Sequence, residues 1–233
     1  MQAMKVLVTG CGRGGTNLGI ELVRTFDHFD VTSEVEDRKF FKRADLPPLY
    51  ATKLATENDG FNNGNIDRMM AKNMDLRVIF MVRHPVDICL SKILRGRPAS
   101  QGGDSTVEQT AGDGTVIGAI EQIEKMYSLY CHMQENYSDR LMVVKMEDLI
   151  SNTDSTIVKV ADFLAVSPTE SSKTFFANNR NRYQKRRYGN TLHKNIDLYK
   201  DLTNNFEGLF NGKESQVEKI EKLLNKISKG TGY

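Results

Sequence analysis

The sequence predicts an α/β fold of three layers, in which a mostly parallel central sheet is flanked by helices. Strand-like apolar runs alternate with amphipathic stretches along the chain, and connections of this kind join parallel strands. A glycine-rich turn follows the first apolar run, and an arginine follows the strongest one. Ligands of such folds bind beyond the carboxyl ends of the strands, so we expect both turns to belong to one site.

The first half of the chain contains four predicted strands. They are residues 6–9, 30–35, 50–54 and 77–82, chosen for their β-branched and apolar content. Predicted helices occupy residues 16–26 and 67–74, and residues 58–64 have the composition of a turn. The unbroken apolar run at residues 6–9 is typical of a strand that is covered on both faces.

The second half continues the alternation after a long interruption. Residues 96–114 have no hydrophobic period, and we expect them to form a mobile loop that could cover an acceptor. Predicted elements are a helix at 115–136, a strand at 140–145, a helix at 154–164 closed by Pro168, a basic segment at 178–195 and a tail helix at 214–228. We predict a single domain across residues 1–233.

Composition excludes several classes of protein. The chain has 233 residues and a formal net charge of +2, which does not favour nucleic acid or an anionic membrane as a partner. The cysteines Cys11, Cys89 and Cys131 lack metal-ligand spacing, and we predict no metal site. No signal-peptide core and no apolar run of about 18 residues is present. We therefore expect a cytoplasmic protein without an integral membrane segment.

The glycine-rich turn has the layout of a phosphate-binding loop. Gly10 and Gly15 stand at the spacing of a Walker A motif, but Thr16 occupies the position of the Walker lysine. The positive side chain lies inside the loop, at Arg13. Glycines let backbone N–H groups approach an anion, and the following helix adds partial positive charge. The alternative is a tight turn without a ligand, although four glycines with Arg13, Thr16 and Asn17 exceed what a turn needs.

A second group of residues follows the strand at 77–82. Arg83 leaves that strand, Pro85 fixes the exit of the chain, and Ser91 comes four residues after Asp87. Together, Arg83 and Ser91 could bind a second phosphate. Taken alone this is weak evidence, because an arginine at a strand end more often pairs with a nearby carboxylate.

The two groups together resemble the nucleotide-binding signature of sulfotransferases that use 3′-phosphoadenosine-5′-phosphosulfate (PAPS). Residues 12–17 resemble the family's loop (Lys/Arg)-Ser-Gly-Thr-Thr, and residues 78–91 resemble its strand followed by Arg-(Asp/Asn)-Pro-x-Asp and a serine. Residues 141–149 with 163–164 are similar to the family's Tyr-Glu-Asp-Leu and Phe-Leu-Gly segments. The resemblance covers residues 5–165. Gly14 replaces the usual serine, His84 an Asp or Asn, and Met146 a tyrosine.

The resemblance implies a P-loop-like sulfotransferase fold and in-line transfer of a sulfuryl group, which leaves 3′,5′-adenosine bisphosphate (PAP). The acceptor would be a hydroxyl or amine of a carbohydrate or small metabolite, and no metal ion is needed. The 5′-phosphosulfate would contact the loop residues Gly12, Arg13, Gly14, Gly15, Thr16 and Asn17. Arg83 and Ser91 would hold the 3′-phosphate, and Arg13 is the first candidate for stabilising the transition state.

The resemblance adds six further candidate residues. Glu36, with Glu34 close behind, would be the general base, although a solvated acidic turn is an equal alternative. His84 is a weaker candidate for that role. Lys53 resembles a lysine that some relatives place near the transferred group. Arg186 and Arg187 would close the site over the 3′-phosphate, unless they form a solvated basic surface.

Two other functions stay open at the level of sequence. A nucleotide-dependent kinase would need a Walker lysine or a metal-binding aspartate after a strand, and neither is evident. A nucleotide-binding module without catalysis is the alternative that is not an enzyme.

Overall fold

The computed structural model describes residues 3–32, 47–57, 61–83, 88, 91–92, 116–172 and 174. The strands are β1 Met4–Gly10, β2 Asp30–Val31, β3 Leu49–Ala55, β4 Leu76–Val82 and β5 Leu141–Lys145. They pair in parallel in the order β2-β3-β1-β4-β5, so β1 lies at the centre of the sheet. The predicted parallel α/β architecture is confirmed.

Five helices accompany the sheet in the described part of the chain. They are α1 Thr16–Thr25, α2 Asn63–Lys72, α3 Val116–Asn136, α4 Met146–Ser151 and α5 Thr153–Leu164. A short 3₁₀ helix, Ser138–Arg140, comes just before β5.

The two faces of β4 are covered by different helices, which gives the three layers. Met81 lies against α1: a Cβ placed on Gly19 would be 2.7 Å from the Met81 sulfur and 2.9 Å from Val8. The next side chain along the strand, Phe80, points to the opposite face, where its ring lies 5.6 Å from that of Tyr130 in α3. Because both faces are covered, all three named residues of the sheet are buried.

Helix α2 begins earlier than the sequence suggests. The prediction placed a helix at 67–74 after a turn at 58–64, whereas the structure places Asn63–Lys72 in the helix. The Asn62 side chain accepts a hydrogen bond from the Asn65 N–H at 3.0 Å and so caps the first turn. A cluster of Asn and Gly that resembles a loop is here the start of a helix.

Helix α5 ends at Leu164, as predicted. Ala165, which adopts a left-handed conformation with φ of 52°, closes the helix before the chain reaches Pro168. Helix α4 was not predicted; it begins directly where β5 ends.

A hydrogen-bonded cluster joins α2 to α3. Asp67 accepts hydrogen bonds from His132 Nε2 and from the Tyr137 hydroxyl, both at 2.7 Å. The bond from Tyr137, and then that from His132, hold the pKa of Asp67 below its ordinary value. The same bond to Asp67 raises the pKa of Tyr137.

The chain divides into two compact units. One comprises Met1–Arg83 with Lys125–Phe176 and contains the whole sheet; the other comprises His84–Glu124 with Ala177–Tyr233. The single domain remains a prediction. The predicted loop at 96–114, the basic segment at 178–195 and the tail helix lie outside the described residues. No helix within the described ranges is long and apolar enough to cross a membrane.

Candidate functional site

The loop between β1 and α1 is a tight turn at the carboxyl end of the central strand. Three residues have positive φ, namely Gly10 at 140°, Arg13 at 72° and Gly15 at 99°. The Gly14 N–H donates to the Cys11 carbonyl at 2.8 Å, and Gly15 is the N-cap of α1. The predicted glycine loop is therefore present and leads directly into a helix.

Gly14 replaces the serine of the family loop that residues 12–17 resemble, and the turn leaves little room for a side chain at this position. A Cβ on Gly14 would be 2.7 Å from the Cys11 carbonyl oxygen, closer than real Cβ contacts allow. A serine would therefore require this loop to move.

The start of α1 can bind an anion. The first N–H groups of a helix have no intrahelical acceptor, and the N-cap Gly15 has no side chain to satisfy them. The helix dipole adds partial positive charge at the same point. Thr16 is buried in this first turn, whereas Asn17 is exposed. An anion placed here would meet both backbone and side-chain donors.

The structure brings Lys53 to the loop. The Lys53 ammonium, on β3, donates to the Asn17 side chain at 2.6 Å. The two residues are 36 positions apart in sequence, and they meet because β3 is the neighbour of β1 in the sheet. A second positive charge thus lies beside the first turn of α1.

Arg83 lies immediately after β4 and reaches the same loop. Its side chain is 2% exposed, and Nη1 is 3.3 Å from the Arg13 carbonyl oxygen. A buried guanidinium is a rigid, permanently charged donor. Ser91, its predicted companion, belongs to the second compact unit, where Ser91 and the adjacent Lys92 are both buried.

Glu57 also contacts the loop, although no sequence motif marked it as a site residue. The Gly12 N–H donates to both oxygens of the Glu57 carboxylate, at 2.7 and 2.8 Å. Glu57 follows β3 by two residues. Its acidic character and its place after a predicted strand were visible in the sequence, but only the pairing of β3 with β1 shows that it lies at the loop.

Met146 packs against the loop from the start of α4. Its side chain lies 3.2–3.3 Å from the position of a Cβ on Gly15. Where the family usually has tyrosine, this chain therefore has a flexible apolar side chain in contact with the helix cap.

Five of the predicted site residues cannot be placed relative to the loop. Glu34, Glu36, His84, Arg186 and Arg187 lie outside the described residues, and their roles stay predictions.

A cavity of about 640 Å³ lies at the opposite edge of the sheet. Met4, Leu49 and Leu76 line it, and these residues begin β1, β3 and β4. Two arginines in its wall are engaged by the protein: Arg77 donates to the Phe163 carbonyl, and Arg140 to the carbonyls of Met70 and Asn73. The cavity is thus separate from the glycine loop.

Comparison with known proteins agrees with this geometry. The family model described as "Sulfotransferase domain" matches residues 3–226, nearly the whole chain. The chain belongs to the sulfotransferase family. No curated protein sequence is similar enough to count as a match.

Solved sulfotransferases share the fold at low sequence identity. The mouse sulfotransferase SULT7A1, crystallised with PAP, has a TM-score of 0.54 and 15% identity over 77% of this chain. The match spans 65% of the mouse chain, just under two thirds of its length.

Two further structures cover more of the sequence. A sulfotransferase from Alicyclobacillus acidocaldarius has a TM-score of 0.51 and 12% identity, over 86% of this chain and 100% of its own. Retinol dehydratase in a complex with retinol and PAP has a TM-score of 0.52 and 12% identity, over 98% and 82%. At these identities the likeness establishes the fold.

Proposed function

We propose that this sulfotransferase moves a sulfuryl group from PAPS to a hydroxyl or amine of a carbohydrate or small metabolite. The proposal rests chiefly on one observation. Cationic side chains from two other segments reach the β1–α1 unit at the carboxyl edge of the sheet: Lys53 of β3 contacts the Asn17 side chain, and Arg83 after β4 contacts the Arg13 carbonyl. That edge is where ligands of parallel sheets bind. The cytoplasmic location and the independence from metal ions stay predictions.

The residues of the loop fit an anionic nucleotide. The Gly12 N–H already holds a carboxylate, which stands in for the oxygens of a phosphate or sulfate. Two cationic side chains and a helix N-terminus lie within the same loop or beside it. The mouse relative and retinol dehydratase, both solved with PAP, support a ligand of this chemistry.

The proposed roles follow from position. PAPS, when bound, supplies the sulfuryl group and a 5′-phosphate leaving group. The N–H groups at the start of α1, with Thr16 and Asn17, hold the 5′-phosphate. Arg13 neutralises the charge that develops on the bridging oxygen, and Lys53 neutralises charge on the moving group. Glu36 or Glu34 accepts the acceptor's proton.

From the family resemblance, we propose that the 3′-phosphate is bound by Arg83 and Ser91, and by Arg186 and Arg187. The contact between Arg83 and the Arg13 carbonyl supports this role, because it places the guanidinium beside the glycine loop. Recognition of a 3′-phosphate would separate PAPS from ATP and from adenosine 5′-phosphosulfate.

The first prediction tests the donor. Thermal unfolding is followed while PAP, ATP and adenosine 5′-phosphosulfate are titrated, each with EDTA and with Mg²⁺. PAP should stabilise the protein most, without Mg²⁺, by about 2.7 kcal/mol at a hundredfold excess over Kd. Equal or greater stabilisation by Mg-ATP would show that the protein is not a PAPS-dependent sulfotransferase and would favour the kinase.

The same titration tests the 3′-phosphate site. R83A should weaken the binding of PAP far more than the binding of adenosine 5′-phosphosulfate, which lacks the 3′-phosphate. Retained binding of adenosine 5′-phosphosulfate also shows that the variant is folded. R68A, which removes an exposed arginine from α2, is the control. If R83A loses affinity equally for the two nucleotides, Arg83 does not bind the 3′-phosphate.

A further inference from the structure

The Glu57 carboxylate is hydrogen-bonded to the glycine loop. Besides the two contacts with the Gly12 N–H, it lies 3.5 Å from the Cys11 thiol and 3.4 Å from the Thr56 hydroxyl. Each of these groups donates to the carboxylate, so the carboxylate is bound as an anion would be. Glu57 thereby occupies the N–H donor of Gly12, the residue directly before Arg13.

The backbone holds Glu57 in this place. Thr56 is fully buried, and its N–H donates to the Gly10 carbonyl at 3.0 Å, which extends the contact between β1 and β3 beyond the strands. Glu57 itself is half-buried. The carboxylate can leave the loop by rotation of its own side chain, but its attachment point is fixed at the edge of the site.

A bound 5′-phosphosulfate or 5′-phosphate would meet this charge. Both groups are anions with several acceptor oxygens, so they use the same kind of N–H donor as a carboxylate does. At short range, two like charges repel each other. A loop that carries its own carboxylate should therefore bind the nucleotide less tightly than the same loop without it.

We propose that Glu57 sets the affinity for the donor and product by competing with their 5′-anion for the glycine loop. This inference rests on the proposed function. As the 5′-phosphate of PAP leaves, the carboxylate returns to the Gly12 N–H, so the loop does not lose its partner. The exchange favours product release at the expense of binding strength.

The test measures the Kd of PAP by calorimetry for the wild type, E57Q and E57A. Both variants should bind PAP roughly tenfold more tightly at low salt, and the gain should shrink as salt is added. E135Q makes the same change of charge at an exposed position on α3 and should leave the Kd unchanged. If E57Q binds PAP no more tightly than the wild type, the inference is wrong.

Partial nucleotides locate the effect. E57Q should bind adenosine 5′-phosphosulfate more tightly by a similar factor, whereas adenosine 3′-monophosphate should bind as it does to the wild type. If E57Q also binds adenosine 3′-monophosphate more tightly than the wild type does, Glu57 does not compete with the 5′-anion at the loop. If E57A weakens the binding of PAP while E57Q leaves it unchanged, Glu57 only stabilises the loop structure, and the inference again fails.

The proposed function fails separately from this inference. A wild type that prefers Mg-ATP to PAP refutes the function without reference to Glu57. A wild type that prefers PAP, with variants of unchanged affinity, refutes only the inference.

Discussion

Arg13 has a backbone conformation that its side chain does not favour. Its φ of 72° lies in the left-handed region, which costs a residue with a Cβ roughly 1–2 kcal/mol compared with the right-handed region. Glycine adopts this conformation without strain, and glycines stand on both sides of it in the sequence. An arginine kept at a strained position in a loop points to a role other than folding.

Replacing Arg13 separates that role from stability. R13G should leave the free energy of unfolding in urea unchanged or raise it by up to about 1 kcal/mol, since backbone strain is relieved. The Kd of PAP should rise roughly ten- to a hundredfold, because a charge-assisted contact is lost.

R13K is the control for the Arg13 experiment. It keeps the positive charge and the strained backbone, so it should match the wild type in stability and bind PAP better than R13G. Unchanged PAP binding by R13G would exclude Arg13 from the site.

Gly14 yields a prediction that concerns the family as well as this chain. G14S introduces the residue that sulfotransferases usually carry, yet its Cβ would lie against the Cys11 carbonyl. We expect the variant to lose about 1–3 kcal/mol of unfolding free energy in urea.

Gly64 offers a matched control for that strain. A Cβ there would meet only the Asn62 side chain, at an ordinary 3.7 Å, in the first turn of α2. G64S should change stability by much less than G14S. If G14S is as stable as the wild type, the loop adapts to serine and the contact with Cys11 does not constrain it.

At the scale of elements, the cluster of Asp67, His132 and Tyr137 fixes α2 to the end of α3. Because folding lowers the pKa of Asp67, the unfolded chain binds a proton more readily than the folded one. The stability from this group is complete above its ordinary pKa of 3.8 and is lost as the pH falls through the lower, folded value. Tyr137 has the opposite dependence: its contribution is present below pH 10 and is lost at higher pH.

A substitution isolates the acidic part of this dependence. D67N should be less stable than the wild type at pH 7, and its unfolding free energy should fall less steeply between pH 5 and 2, measured by urea denaturation across that range. D139N removes a carboxylate from an exposed position in the 3₁₀ helix and should retain the slope of the wild type. Parallel curves for D67N and the wild type would mean that the cluster does not couple protonation to folding.

Helix α1 depends on one close approach to the sheet. Gly19 lies against Met81 and Val8, and any side chain there would displace them. The loop on the N-terminal side of α1 is therefore held by packing of the helix as well as by its own hydrogen bonds. Precise placement of the loop comes from the whole β1–α1 unit.

At the scale of the molecule, local patterns were enough to predict the sheet and the loop. The strands β1 and β4 follow from their own apolar runs, and the turn follows from the glycines between residues 10 and 15. In each case the pattern lies within a few neighbouring positions. Contacts between distant segments were not predictable in this way. Asp67 meets residues 65 and 70 positions away, and Glu57 reaches Gly12 across 45 positions. Their meeting depends on strand order and helix packing, which no local pattern encodes.

The central position of β1 has a consequence for synthesis. Its register partners, Leu49 in β3 and Leu76 in β4, come about 45 and 70 residues later in the chain. At roughly 5–20 residues per second, the apolar run of β1 leaves the ribosome several seconds before either partner does. The pairing of β1 with its two neighbours is thus completed long after β1 is synthesised, and long-range parallel pairing is generally slow. During that interval Val6, Leu7 and Val8, which are buried in the folded protein, have neither of their neighbouring strands.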